Sequence, residues 1–196
     1  FIEYMNRKNG KNSLGLDACF EDEANPIVLF TKWFADAEKS EFNDPNALSV
    51  ATSSPEGIPS VRMVLLKGLS NKGFVFYTNF NSKKGNDLKS NPNASMCFYW
   101  KSIRRQVRVS GKVSTVDKDE ADKYFSSRDY GSKIAAWASS QSKIMNSRND
   151  FLNKVKEFEK KFPDKNNVPR PSHWSGWRVN PEQIEFWLEA KNRTHQ

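Results

Sequence analysis

A string of cations and amides is set into strand-like apolar sequence in this chain. It begins at Arg62-Met-Val-Leu-Leu-Lys67, passes through Tyr77-Thr78-Asn79 and Ser82-Lys83-Lys84, and reaches Arg104-Arg-Gln-Val-Arg-Val109. Half-buried cations are costly unless an anion meets them. Arg, Lys and Gln on successive strands therefore point to a phosphorylated ligand. Ser82 can cap a helix whose free N–H groups, with Lys83 and Lys84, would cradle a phosphate. An ordinary capped surface helix is the alternative. Strand alternation puts Arg62 and Lys67 on opposite faces. Either a bulge intervenes or the two serve different groups, and Lys67 also fits a solvent-facing strand end. Gln106, Arg108 and Ser110 share one strand face, which suits either solvent or the polar edge of a heteroaromatic ring.

A second polar group follows. Tyr124 and Arg128 lie four apart on a predicted helix, with Ser132 just beyond its end. Two hydroxyls and a guanidinium there would make a second phosphate cradle, and a surface Tyr–Arg stack is the alternative. Gln141 and Ser142 add hydrogen-bonding side chains. Trp187 suits packing beside a flat cofactor or in the core, and Arg193 and His195 share one side if extended. Glycine-rich nucleotide motifs are absent. So are a Ser-His-Asp set, paired catalytic carboxylates and a metal cluster. Catalysis, if present, falls to a bound organic cofactor.

The elements that must position these residues read as follows. The 196 residues suffice for one domain, and 14 Phe, 6 Trp and 5 Tyr supply its core. The net charge of +8 suits a phosphate-rich partner, although no nucleic-acid module or basic stripe accompanies it. Two cysteines, Cys19 and Cys97, make no disulfide framework and fit a reducing cytoplasm. No apolar run approaches the roughly 18 residues that span a bilayer, and no secretory signal pattern opens the chain.

Residues 1–25 read as a loose polar arm. From Pro26, Ile27, Leu29, Phe30, Trp33, Phe34 and Ala37 form one helical face. Strands are predicted at Ala47–Thr52, Pro59–Lys67, Phe74–Thr78, Ala94–Trp100, Gln106–Val113, Trp174–Val179 and Gln183–Leu188. Helices are predicted from Ser82 to Ser90, from Asp117 to Arg128 and from Ser147 to Phe162. Phe151, Leu152, Val155, Phe158 and Phe162 form the buried side of the last one. The result is a mainly β core with α additions, an α+β barrel carrying peripheral helices.

Taken together, these segments resemble the pyridoxine (pyridoxamine) 5′-phosphate oxidase family over Pro26 to His195. Arg62-Met-Val-Leu-Leu-Lys67, Phe76-Tyr-Thr-Asn79, Ser82-Lys-Lys84, Arg105-Gln-Val-Arg-Val109, Tyr124-Phe-Ser-Ser-Arg128, Ser140-Gln-Ser142, Trp174-Ser-Gly176, Gln183-Ile-Glu-Phe-Trp187 and Arg193-Thr-His195 carry the resemblance. It implies an FMN-binding split barrel spanning residues 26–196, a homodimer with FMN at the interface, and no nucleic-acid or membrane partner. FMN contacts would come from Arg62, Met63, Val64, Leu65, Leu66, Lys67, Tyr77, Thr78, Lys83, Lys84, Gln106, Gln141, Ser142 and Trp187. Lys67, Tyr124, Arg128 and Ser132 would hold the substrate phosphate, with Arg193 and His195 as catalytic residues beside the pyridine ring. The implied reaction oxidises a phosphorylated B6 vitamer to pyridoxal 5′-phosphate, with oxygen as acceptor and hydrogen peroxide as product. A non-catalytic FMN- or pyridoxal-phosphate-binding protein of the same fold is the alternative. The chain departs from the family at Lys83, where Arg is usual, and at Thr194 and Gln196 in a C-terminus that reads as shortened.

Overall fold

Alternation in the sequence becomes a curled sheet in the computed structural model, which describes residues 24–145 and 147–189. Helix α1 (Pro26–Ser40) opens it, with Pro26 in its first turn and the Asn25 side chain accepting from Ile27 N. Seven strands follow: β1 (Ala47–Ser53), β2 (Pro59–Leu65), β3 (Gly68–Ser70), β4 (Gly73–Asn79), β5 (Asn93–Trp100), β6 (Arg105–Thr115) and β7 (Trp174–Leu188). They form one antiparallel sheet in the order β2-β1-β5-β6-β7-β4-β3. Its two ends are joined by two residues. Leu66 N donates to Asn46 O on one side, and Lys67 N donates to Val75 O on the other. The sheet thus curls toward closure but stays open between β2 and β4, as in a split barrel.

The concave side holds the main core. Leu48, Val50, Phe74, Phe76, Met96, Phe98, Trp100, Val107 and Val109 are buried there against Leu29, Phe30 and Trp33 of α1. Phe30 meets Phe74 and Phe98 edge to face, both at 4.9 Å. Each such aromatic pair adds about 0.5–1.5 kcal/mol beyond its buried area. Arg105 ties α1 to the sheet, bonding Asp36 at 2.8 Å and lying over the Trp33 ring.

Four more helices flank the open side: α2 (Lys83–Ser90), α3 (Lys118–Ser126), α4 (Tyr130–Ala138) and α5 (Arg148–Lys161). Ser82, Asp117, Asp129 and Ser147 cap their N-termini. A second apolar cluster packs α3, α4 and α5 onto β7 through Phe125, Ile134 and Trp174, with Val168 of the preceding linker.

Five sequence expectations need correction. The two C-terminal strands are one 15-residue strand. An extra residue, Glu182, is absorbed where Ser110 faces Gln183 but Gly111 faces Pro181. That β-bulge read as a turn in the sequence, and Gly111 fits there because a Cβ would collide with Asn180 O. Second, the β2 segment stops at Leu65, because the chain crosses the sheet opening at Leu66 and Lys67. Third, the short strand β3 was not expected. Fourth, Ser132 lies in the first turn of α4, a helix absent from the sequence reading, rather than beyond a helix end. Fifth, Leu152 is 43% exposed and α5 has no fully buried residue, so its apolar side is only half covered.

Candidate functional site

The opening between β2 and β4 leads into a cavity of about 430 Å³. Its walls come from β2, the crossing at Lys67, β4, α2, α3 and α4 with their turn, the segment after α4, Phe151 of α5 and the start of β7. β2 pairs only with β1 among the described residues, so the backbone groups of its other edge remain available for hydrogen bonding.

Lys84 lies at one side of the cavity. The Ser82 cap starts α2 here, and Gly85 lets the first turn pack onto the Phe80 carbonyl. The Lys84 ammonium donates to Thr78 Oγ1 at 2.7 Å and Gln141 Oε1 at 3.0 Å. No carboxylate lies within ion-pair distance among the described residues. Burial, and then the charge of Arg62, push Lys84 down to about 8. A cation held only by neutral oxygens in a buried place suits an anion.

Arg128 stands on another wall. Its guanidinium lies 4.7 Å from the Trp174 ring centroid, and Nη1 is buried with no hydrogen-bond partner. An orphaned buried donor costs about 1–3 kcal/mol, more for charged groups, so a ligand acceptor at this point would repay it. Tyr124 and Ser132 line the same cavity. Tyr77 and Tyr124 stack at 4.0 Å, and Tyr77 lies nearly parallel to Trp174 at 5.2 Å. Burial, Glu120 and Tyr124 push the Tyr77 phenol up to about 12, so it remains a neutral donor. Behind this wall, Arg170 donates to Asp122 at 2.6 Å and to the Trp174 carbonyl at 2.7 Å, joining α3 to β7.

The cavity therefore brings together Met63, Val64, Leu65, Lys67, Tyr77, Thr78, Lys84, Tyr124, Arg128, Ser132 and Gln141 of the sequence-predicted set. Lys67 is exposed on the crossing segment, whereas Leu66 turns into the core. Arg62 sits behind the cavity, bonding Val50 O at 3.1 Å, Thr52 Oγ1 at 2.8 Å and Ser60 Oγ at 2.6 Å. Lys83 does not line it and pairs with Asp87 at 3.0 Å. Ser142 is exposed at φ 63° and lies off the lining. Gln106 and Trp187 are cross-strand partners on the convex face of the sheet, away from the cavity. Arg193 and His195 lie outside the described residues.

Sequence reading missed Trp174 as the platform under Arg128, and also Asp87 and Thr52 as partners of the cations. Asp87 carried a signal, being four residues after Lys83 on a helix. Thr52 carried none, because its link to Arg62 is tertiary. His173 contacts Ala136 O at 3.1 Å, and no group of three metal-ligating side chains forms among the described residues. No helix is long and apolar enough to cross a membrane among them.

Comparison with known proteins bears on this geometry. Residues 34–162 match a family model described as pyridoxamine 5′-phosphate oxidase. Residues 174–196 match one described as a pyridoxine 5′-phosphate oxidase C-terminal dimerisation region. A pyridoxine/pyridoxamine 5′-phosphate oxidase of Pelagibacter ubique is 57% identical over 188 residues, covering 96% of this chain and 90% of its own length. One from Sphingopyxis alaskensis is 51% identical, covering 88% of this chain and 79% of its own. Among solved structures, PhzG from Burkholderia lata in complex with tetrahydrophenazine-1-carboxylic acid superposes with a TM-score of 0.85 at 27% identity, covering 92% of this chain and 88% of its own. A pyridoxamine 5′-phosphate oxidase-related, FMN binding protein from Nostoc punctiforme gives a TM-score of 0.65 at 14% identity, covering 89% and 96%, and supports the fold alone.

Proposed function

The chain belongs to the pyridoxamine 5′-phosphate oxidase family of enzymes, and on that premise we propose that its cavity holds FMN and a phosphorylated B6 vitamer together. The reaction is oxidation of pyridoxine 5′-phosphate or pyridoxamine 5′-phosphate to pyridoxal 5′-phosphate, with oxygen as acceptor and hydrogen peroxide as product. The observation that carries the reading is the orphaned Nη1 of Arg128, buried on a wall separate from Lys84. Two anion-seeking cations in one cavity suit two phosphates.

When bound, FMN supplies the two-electron acceptance that these side chains lack. Lys84 would meet its phosphate, Thr78 and Gln141 would orient the ammonium, and the free edge of β2 would offer backbone groups to its ring. Arg128, Tyr124, Ser132 and Lys67 would hold the vitamer phosphate and fix the 4′ carbon against the flavin. Arg193 and His195 are assigned to the pyridine ring by family resemblance. A carboxylated ring such as that bound to the Burkholderia lata protein is the second reading. The hydroxyls of Tyr124 and Ser132 beside Arg128 favour a phosphate.

Gln106 and Trp187 enter through a second copy. They share the convex face with Val61, Met63 and Tyr99, which are 67%, 65% and 54% exposed, and Tyr99 is the cross-strand partner of Gln106. Apolar side chains left exposed in a group mark an interface, and residues 174–196 match a dimerisation region. In a homodimer this face of one protomer would complete the FMN cradle of the other. Residues 26–196 would act as one cytoplasmic FMN-binding unit.

Peroxide release with pyridoxamine 5′-phosphate and with pyridoxamine tests the proposal. Turnover strongly favouring the phosphorylated amine is expected. Equal turnover of both would remove the phosphate role of Arg128, and no peroxide with a bound flavin would favour a binding protein.

A further inference from the structure

A carboxylate that the proposed ligand does not need lies just off the cavity lining, three residues after Lys84 on α2. Asp87 is 5% exposed. It accepts from Lys83 Nζ at 3.0 and 3.2 Å and from the Thr52 hydroxyl at 2.7 Å. A hydroxyl has one proton, and Thr52 gives it to Asp87, so the Thr52 oxygen turns its lone pairs to Arg62 Nη1 at 2.8 Å. One carboxylate thereby fixes two cations, Lys83 directly and Arg62 through Thr52. Burial works to raise the Asp87 pKa, but hydrogen bonds from Thr52 and Lys83 and the charges of Lys83 and Arg62 hold it below its ordinary value. Arg62, Lys83 and Lys84 against Asp87 leave a net +2, close to the charge of a phosphate monoester, about −1.5 to −2 at neutral pH.

We propose that Asp87 is the built-in counter-ion of the cradle, a positioning residue that holds Lys83 and Arg62 in place and gives up Lys83 when a phosphate monoester arrives. The inference rests on the FMN reading of the cavity. Lys83 is half exposed and free to swing between the two anions, whereas Asp87 is buried and also bonded to Thr52. What Lys83 gains from the phosphate is then largely offset by the pair it leaves, and Asp87 repels the incoming phosphate.

The test is the FMN-to-riboflavin affinity ratio, read by flavin fluorescence quenching. Riboflavin carries the same ring without the phosphate. Asp87→Asn is expected to tighten FMN binding about tenfold and leave riboflavin unchanged, since one buried like charge is removed. Lys83→Gln should weaken FMN binding less than about threefold in the wild-type chain but about tenfold in the Asp87→Asn background, the signature of coupled residues. FMN affinity in Asp87→Asn that is unchanged, falls, or moves together with riboflavin affinity would overturn the inference. If Asp87→Asn does not fold, Lys83→Gln and Lys84→Gln are compared in the wild-type chain. The inference requires Lys83→Gln to be much the milder, and equal losses overturn it. A wild-type chain that binds neither flavin sinks the FMN reading itself. One that binds FMN while the ratio stays fixed in Asp87→Asn sinks only the role of Asp87.

Discussion

Replacing Arg128 by Met separates a ligand-binding cation from a structural one. In the free protein this guanidinium has a buried Nη1 without a partner, and it lies over the Trp174 ring at 4.7 Å and the Phe125 ring at 5.7 Å. The orphaned donor costs about 1–3 kcal/mol, and the cation–π contact returns about 0.5–2 kcal/mol. Arg128→Met should therefore change stability by between about 1 kcal/mol lost and about 2.5 kcal/mol gained, at most several degrees in Tm for a chain of this size. Binding is another matter. A unit charge about 4 Å from a phosphate oxygen at an effective dielectric near 20 is worth about 4 kcal/mol. Partial solvent access to the cavity reduces this to about 2–3 kcal/mol, a rise of roughly 30- to 150-fold in KM. Steady-state kinetics with pyridoxamine 5′-phosphate and with pyridoxamine, alongside a thermal melt, measure both quantities. The variant should lose its preference for the phosphorylated amine while KM for pyridoxamine stays put. A KM change below about threefold, or equal losses on both substrates, would refute the reasoning.

Further predictions concern the remaining walls. Lys84, held down at about 8 by burial and then by Arg62, leaves the folded chain with fewer protons than the unfolded one between about 8 and the ordinary 10.5. Stability without ligand should therefore rise with pH across that window, while FMN affinity falls as the ammonium discharges. Urea melts and FMN titrations across that window check both slopes, and a flat FMN affinity contradicts the role of Lys84. In Gly176→Ala the new Cβ would lie 2.8 Å from Tyr77 Cε1 and 2.9 Å from Val116 Cγ2. Moving the Tyr77 ring should destabilise by about 1–3 kcal/mol and weaken flavin binding, as melts and fluorescence titration would report. Arg170→Ala removes the bonds to Asp122 and the Trp174 carbonyl. A loss of about 2–4 kcal/mol in urea unfolding is expected, because the Trp174 carbonyl loses its side-chain donor and α3 loosens.

The parts of the fold set by local rules were legible in the sequence. Ser82, Asp117 and Ser147 cap the helices they were expected to start, and Val107 and Val109 turn inward opposite Gln106 and Arg108 as strand alternation requires. Tertiary features were less so. The bulge at Glu182 passed for a turn because Asn180-Pro181 carries turn residues, although pairing with β6 keeps the strand continuous. Helix α4 escaped because Asp129 sits only three residues past Ser126, and two helices with so short a link read as one ending. Within the site, charge and spacing singled out Lys84, Tyr124 and Arg128. The i,i+4 spacing carried the signal for the Lys83–Asp87 pair, but nothing local showed that Gln106 and Trp187 would lie on the opposite face.

The central claim is that one cavity holds FMN against a phosphorylated B6 vitamer. Anaerobic titration of the FMN-reconstituted protein with pyridoxamine 5′-phosphate, followed by visible absorbance, tests it most directly. The flavin should bleach in proportion to vitamer added, and its colour should return when air is admitted. A chain that takes up no FMN, or a bound flavin that keeps its colour at saturating vitamer, would contradict it.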